Sequence, residues 1–179
     1  LYMAGQIDQV IALGLLIEKD GLEDFMSAHL LAICFQRKKR FADAYDHYYK
    51  SIQFNGRFAE TFNNLGSLQR EMNRLELAKE SYEKAIAFKS SLHEAYNNLG
   101  VVNRALGEYV EAKKNFRSAI NLKPNYAVAH FNLGFCLAKE ERSFEAIESF
   151  YHSLKLDPSS EETRLCLGKS LSAIGKYEE

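Results

Sequence analysis

Apolar residues recur along the chain at intervals of three and four, the spacing that places side chains on one face of an α-helix. In the clearest stretch Tyr96, Leu99, Gly100 and Asn103 mark such a face and predict a helix over His93 to Leu106. Ala112, Phe116 and Ala119 mark a second over Tyr109 to Leu122. Gly107 separates the two as a glycine cap, and Pro124 closes the unit because it cannot continue a helix.

This helix pair repeats. At a shift of 34 residues Leu65-Gly66 falls on Leu99-Gly100, Leu133-Gly134 and Leu167-Gly168. Ala44, Ala78, Ala112 and Ala146 superpose, as do Tyr48, Tyr82, Phe116 and Phe150, and the only prolines, Pro124 and Pro158, are also 34 apart. The period divides the chain into full repeats at 25–58, 59–92, 93–126 and 127–160. A partial repeat, 1–24, supplies a second helix before them, and another, 161–179, supplies a first helix after them. Both ends fall inside a repeat, so the stretch is expected to belong to a longer polypeptide. A helical Gly costs about 1 kcal/mol relative to Ala. Its recurrence predicts close approach between the two helices of a repeat, with the Ala column completing that contact and the aromatic column filling the gap to the next repeat. At Ser143-Phe144 the aromatic before the Ala column is displaced by one residue, which disturbs this packing locally.

The columns resemble the tetratricopeptide repeat, whose pattern runs aromatic, Leu-Gly, Tyr, then Ala, Phe and Pro. Tyr96-Leu99-Gly100…Ala112…Phe116…Pro124 is the best single match, with Asn103 in place of the Tyr. The resemblance implies an all-α fold, an α-α superhelix of antiparallel helix pairs whose first helices line the concave side. It also implies a binding scaffold, while leaving the partner open because such arrays serve many processes.

Composition narrows the function by exclusion. Lys and Arg number 23 against 24 Asp and Glu, a net charge of −1, unlike the basic domain of a dedicated nucleic-acid binder. The longest apolar run, Val10 to Ile17, is too short to span a membrane. Cys34, Cys136 and Cys166 lie in different repeats. At roughly 10 Å per helix layer, the first two are far beyond the ~7 Å reach of a disulfide. A reducing cytoplasm is the expected location.

No residue pattern points to catalysis. His29, His47, His93, His130 and His152 lack zinc-helix spacing, and no cysteine pair is close enough for a metal. No glycine-rich phosphate loop follows a strand, so neither cofactor nor metal is expected. Glu161-Glu162 sits in a helix's first turn, and Arg37-Lys38-Lys39-Arg40 closes another, each explained by the helix dipole.

The candidate surface is therefore the concave side. At its phase stand Met26, His29, Leu30 and Ile33, then Asn63, Asn64 and Ser67, Asn97, Asn98 and Val101, and finally Phe131, Asn132 and Phe135. Charges at this phase nearly cancel: Arg37, Arg70, Arg104, Lys139 and Lys169 against Glu60, Glu71, Glu94 and Glu162. Arrays that hold a chaperone's terminal carboxylate present Lys, Asn and Arg at places here occupied by His29, Ile33, Asn64, Glu94 and Asn98, and only Asn64 fits. The column Asn64, Asn98, Asn132 instead resembles the asparagine ladder of O-linked N-acetylglucosamine transferase repeat domains, which grips peptide backbones through amide donors and acceptors. Equally, an Asn at this phase bonds neighbouring helices.

The expected function is a non-catalytic protein–protein interaction scaffold holding an extended peptide or partner segment in its groove. The lining residues are Met26, Leu30, Ile33, Asn63, Asn64, Arg70, Asn97, Asn98, Arg104, Phe131, Asn132 and Phe135, with no nucleic-acid or membrane partner. The alternatives are a self-assembling scaffold pairing through its ends, where Leu165, Leu167 and Leu171 lack a covering helix, or the substrate-recruiting module of a glycosyltransferase- or sulfotransferase-type enzyme.

Overall fold

The computed structural model describes residues 4–175. Every regular element among them is an α-helix. The chain divides into two compact units, Leu1–Ser90 and Ser91–Glu179. The first holds α1 (Ala4–Lys19), α2 (Phe25–Arg37), α3 (Phe41–Phe54), α4 (Ala59–Glu71) and α5 (Leu75–Phe88). The second holds α6 (His93–Ala105), α7 (Tyr109–Leu122), α8 (Ala127–Lys139), α9 (Ser143–Leu156) and α10 (Glu161–Gly175). Within each unit α2 packs on α3, α4 on α5, α6 on α7 and α8 on α9, the all-α stack of helix pairs that the period predicts. Among the described residues no helix is long and apolar enough to cross a membrane.

The turn inside each pair has one geometry. Lys39, Asn73, Gly107 and Glu141, each 34 residues after the last, adopt left-handed φ values of 61°, 58°, 82° and 61°. The next residue's N–H reaches back five residues to a carbonyl: Arg40 to Phe35, Arg74 to Gln69, Glu108 to Asn103 and Arg142 to Leu137, at 2.8–3.1 Å. This is the Schellman closure, which satisfies carbonyls that the helix end leaves without a partner. Only one of the four positions is glycine. The turn thus follows from how the two helices pack as much as from backbone freedom at a single residue.

Packing explains the recurring helical glycines, with a correction to the sequence expectation. A Cβ built on Gly66 would lie 2.8 Å from Cε1 of Tyr82, one on Gly100 2.6 Å from Cε1 of Phe116, and one on Gly134 2.8 Å from Cε1 of Phe150. The ring of the second helix therefore rests on the glycine of its own repeat. The aromatic column, not the alanine column, is what the glycine accommodates. The other side of each ring joins the following helix: Phe116 and Phe150 share a core with Leu133, Cys136, Leu137 and Leu167. In the first unit Tyr48 shares one with Leu31, Ala32, Phe35, Leu65 and Leu68. Tyr48, Tyr82, Phe116 and Phe150 are fully buried, each contributing about 1.5–3 kcal/mol of transfer free energy. The displaced Phe144 is 76% exposed and lies outside this packing.

Candidate functional site

In the first unit α2 and α4 carry the predicted lining. Met26 and Leu30 are exposed, Leu30 at 45%, while Ile33, Asn63 and Asn64 are half-buried and Arg70 is exposed. His29, placed at the same phase by the sequence, is 5% exposed and belongs to the seam between helices. Its Nδ1 is 2.9 Å from Thr61 Oγ1, which is 3.1 Å from Ser51 Oγ, and Ser51 Oγ donates to the Phe25 carbonyl at 2.8 Å. Because Ser51 spends its proton on that carbonyl, Thr61 must donate to Ser51 and accept from His29. The imidazole therefore carries its proton on Nδ1 and presents Nε2 as an acceptor, with Asn64 Nδ2 at 3.4 Å. Burial holds the His29 pKa below its ordinary value, opposed by the nearby Glu60 carboxylate.

A cavity of about 380 Å³ opens between α2, α3 and α4, lined by Ile33, Gln36, Tyr48, Asn64, Ser67 and Glu71, with Arg37 and Lys39 also on its border. The Tyr48 hydroxyl donates to Gln36 Oε1 at 2.8 Å, and Gln36 Nε2 donates to Glu71 Oε1 at 2.7 Å.

In the second unit Asn97 and Asn132 are buried, Asn132 at 5% exposure. Asn132 Nδ2 donates to Asn97 Oδ1 at 3.0 Å and Arg104 Nη1 donates to Asn132 Oδ1 at 3.4 Å, which braces α8 against α6. Asn98 is half-buried. The bracing aims Arg104: its guanidinium carbon lies 4.8 Å from the centroid of the Phe135 ring, a cation–π arrangement. Phe131 stands 6.3 Å from Phe135 and 6.0 Å from Phe150. A second cavity, of about 290 Å³, opens beside Phe135 between α8, α9 and α10, with Phe150, Ala138 and Cys166 in its wall and Lys139 and Lys169 on its border.

Of the predicted lining, the structure thus brings Arg104, Phe131, Asn132 and Phe135 together in one unit and Ile33 and Asn64 together in the other. Sequence reasoning missed Gln36, Ala138 and Cys166 as cavity walls, and it counted Glu71, Lys139 and Lys169 only as charges. A signal was present: Phe135 and Lys139 are one turn apart on α8, and Cys166 and Lys169 one turn apart on α10. Among the described residues no group of three His, Cys, Asp or Glu is placed to hold a metal, and the three cysteines are free thiols.

Comparisons with known proteins agree with this architecture. Tetratricopeptide-repeat models match residues 59–91, 93–126 and 127–160. No curated protein sequence matches the chain. Among solved structures, a crystal structure of MamA is 22% identical and superposes with a TM-score of 0.79 over 88% of this chain and 97% of that one. The Cut9–Hcn1 hetero-tetramer of APC/C gives 0.81 at 18% identity, over 93% of this chain and 33% of that one. The first repeat domain of Spaghetti (RPAP3), bound to the HSP90 peptide SRMEEVD, gives 0.65 at 19% identity, over 66% of this chain and 94% of that one. With repeat models covering more than half of its length, and helix pairs recurring at a fixed phase, the chain belongs to the tetratricopeptide-repeat family of protein-interaction scaffolds.

Proposed function

We propose that the first-helix faces bind an extended segment of a partner protein, each unit offering its own stretch. One observation carries this: Arg104, Phe131 and Phe135 converge on one face of α6 and α8, with the guanidinium held over the ring. An aromatic pair beside a fixed cation is the composition of an interface hot spot. In the first unit Met26, Leu30 and Ile33 offer an aliphatic counterpart, with Asn63, Asn64 and Arg70 as polar neighbours. The amides of Asn64, Asn98 and Asn132 serve as backbone rungs. Asn97 and Asn132 also brace Arg104 from behind, and Asn132 meets the peptide through the second N–H of its amide. The isolated thiols of Cys34, Cys136 and Cys166 suit a reducing compartment such as the cytoplasm.

The test is enrichment of a random displayed-peptide library on the wild-type protein, followed by titration of one enriched peptide. Each rung is worth about 0.5–1.5 kcal/mol, so a single Asn→Ala change weakens binding by less than about tenfold and the triple variant by roughly a hundredfold. Phe131→Ala with Phe135→Ala abolishes binding in the second unit. Unchanged titration by both variants, folded by circular dichroism, would defeat the reading.

One observation favours a second reading, self-association: Leu165 and Leu171 are exposed on α10. Sedimentation of wild type against Leu165→Lys/Leu171→Lys decides it, since only a self-associating chain shifts its mass.

A further inference from the structure

The charges of the inner face cancel in the sequence but not in the second unit. Glu140, next to Lys139 in the chain, is spent on Lys113 and lies near Arg142, and Glu145 is spent on Arg142. Glu94, on α6, lies 3.1 Å from the His93 ring. Lys139, Lys169 and Arg104 have no carboxylate within ion-pair distance among the described residues. Glu162, the remaining acid at the inner phase, lies two turns before Lys169 on α10.

Two of these cations border one opening and the third stacks on a ring in its wall. Arg104 covers the Phe135 ring from α6, Lys139 Nζ lies 5.9 Å from the same ring's centroid, and Lys169 stands across the cavity on α10. Between them the wall is mainly apolar, made by Phe135, Phe150, Ala138 and Cys166, with Ser143 and Ser170 as its only hydroxyls. At about 290 Å³ the cavity sits at the lower limit for a small-molecule site, a size suited to one inserted side chain.

From this we infer that the cavity between α8, α9 and α10 is a selectivity pocket for acidic partner segments, taking one bulky apolar side chain flanked on both sides by Asp or Glu. The inference rests on the peptide-binding reading of the same face and adds to it the chemistry of the partner. Charge complementarity carries it: an apolar side chain alone would satisfy the wall and leave Lys139 and Lys169 without ion-pair partners, whereas flanking carboxylates reach Lys139, with Arg104 beyond it, on one side and Lys169 on the other, outweighing the single Glu162 near Cys166. None of the places that mark carboxylate-holding chaperone binders contributes a residue here.

Three blocked synthetic peptides test it, each with a central Phe and flanks of Asp/Glu, of Asn/Gln, or of Lys/Arg. They are titrated by fluorescence anisotropy against the whole protein and against the Lys139→Gln/Lys169→Gln variant, whose exposed positions leave the fold intact. The acidic peptide binds wild type about tenfold more tightly than the neutral one, and the double variant erases that margin, as two exposed ion pairs would give. Raising salt from about 0.1 M to about 1 M shortens the screening length from about 10 to about 3 Å and erases it as well. Bound acidic peptide slows alkylation of the half-buried Cys166 while leaving Cys34 unchanged, which locates the contact. Equal binding of acidic and neutral peptides overturns the acidic inference while leaving the groove reading intact, provided that Phe131→Ala/Phe135→Ala weakens both. Binding of none of the three overturns the inference, and the displayed-library result then decides the groove reading separately. Unchanged Cys166 alkylation with preserved acidic preference also overturns it, because the site then lies elsewhere.

Discussion

Tyr48 and Phe150 occupy the same column of the repeat, and each forms part of a cavity in its own unit. In the first unit the phenol is tied through Gln36 to Glu71, so the cavity ends in a satisfied polar chain. In the second the ring carries no hydroxyl, the wall is mainly apolar with Ser143 and Ser170 at its polar edge, and the bordering lysines have no carboxylate within ion-pair distance among the described residues. Both rings are fully buried, Phe150 against Gly134 and Tyr48 in a core with Ala32, which stands in the glycine's place. The difference teaches that the scaffold dictates where the ring sits, while the atom at its far edge decides what the neighbouring opening can accept.

The largest expected effect breaks what the two units share, the seating of the ring. Gly100→Leu drives a side chain into Phe116, where even a Cβ would lie at 2.6 Å. It should cost roughly 1–3 kcal/mol or more and disturb neighbouring repeats first. Thermal unfolding indistinguishable from wild type would show that the glycine does not seat the ring.

Next in size, Tyr48→Phe gives the first unit the second unit's ring and leaves Gln36 Oε1 without its donor. The expected loss is about 0.5–1.5 kcal/mol in chemical denaturation. No loss would mean that the polar chain is ornamental and the contrast between the cavities is one of shape alone.

Two substitutions carry the opposite sign. Gly168 continues the glycine column into α10, where nothing lies within 4 Å of an added Cβ. Gly168→Ala should therefore gain up to about 1 kcal/mol of helix propensity. Glu141→Gly should gain about 0.5–1 kcal/mol by relieving a left-handed residue that carries a Cβ. Destabilisation by Gly168→Ala would place a close neighbour where the packing shows none.

The smallest effect separates the units by pH. Because His29 is neutral and buried, with its pKa held below the ordinary 6.5 by desolvation, the unfolded chain binds a proton there before the folded one does. Its stabilising contribution is complete above 6.5 and is lost as pH falls through the folded value. Between about pH 7 and pH 5, wild type should lose melting temperature more steeply than His29→Gln. Equal slopes would contradict the assigned Nδ1-protonated network.

Much of this was legible in the sequence. Helix pairs, their turns and the aromatic column all follow from residues recurring every 34 positions, because a period reports which face of a helix a residue occupies. It does not report what lies opposite. His29 and Leu30 are adjacent in the chain and both near the inner phase, yet one is sealed in a seam and the other is exposed. The residue facing His29, Thr61, belongs to the next repeat. Likewise the partner of Gly100 is Phe116 rather than Ala112, since two helices approach along a line that depends on side-chain size, which spacing does not encode. The cavity walls were hidden for the same reason: Cys166 and Phe135 meet only once α10 has packed.

The left-handed turn recurring at Lys39, Asn73, Gly107 and Glu141 has a consequence for how such a chain diversifies. A cation, an amide, a bare backbone and an anion all hold the same bend. The bend therefore imposes little purifying pressure on the residue that makes it, at a penalty of about 1 kcal/mol when that residue is not glycine. Duplicated repeats can exchange charge at these exposed corners, altering which passing molecules the rim attracts or repels, without renegotiating a single helix contact beneath.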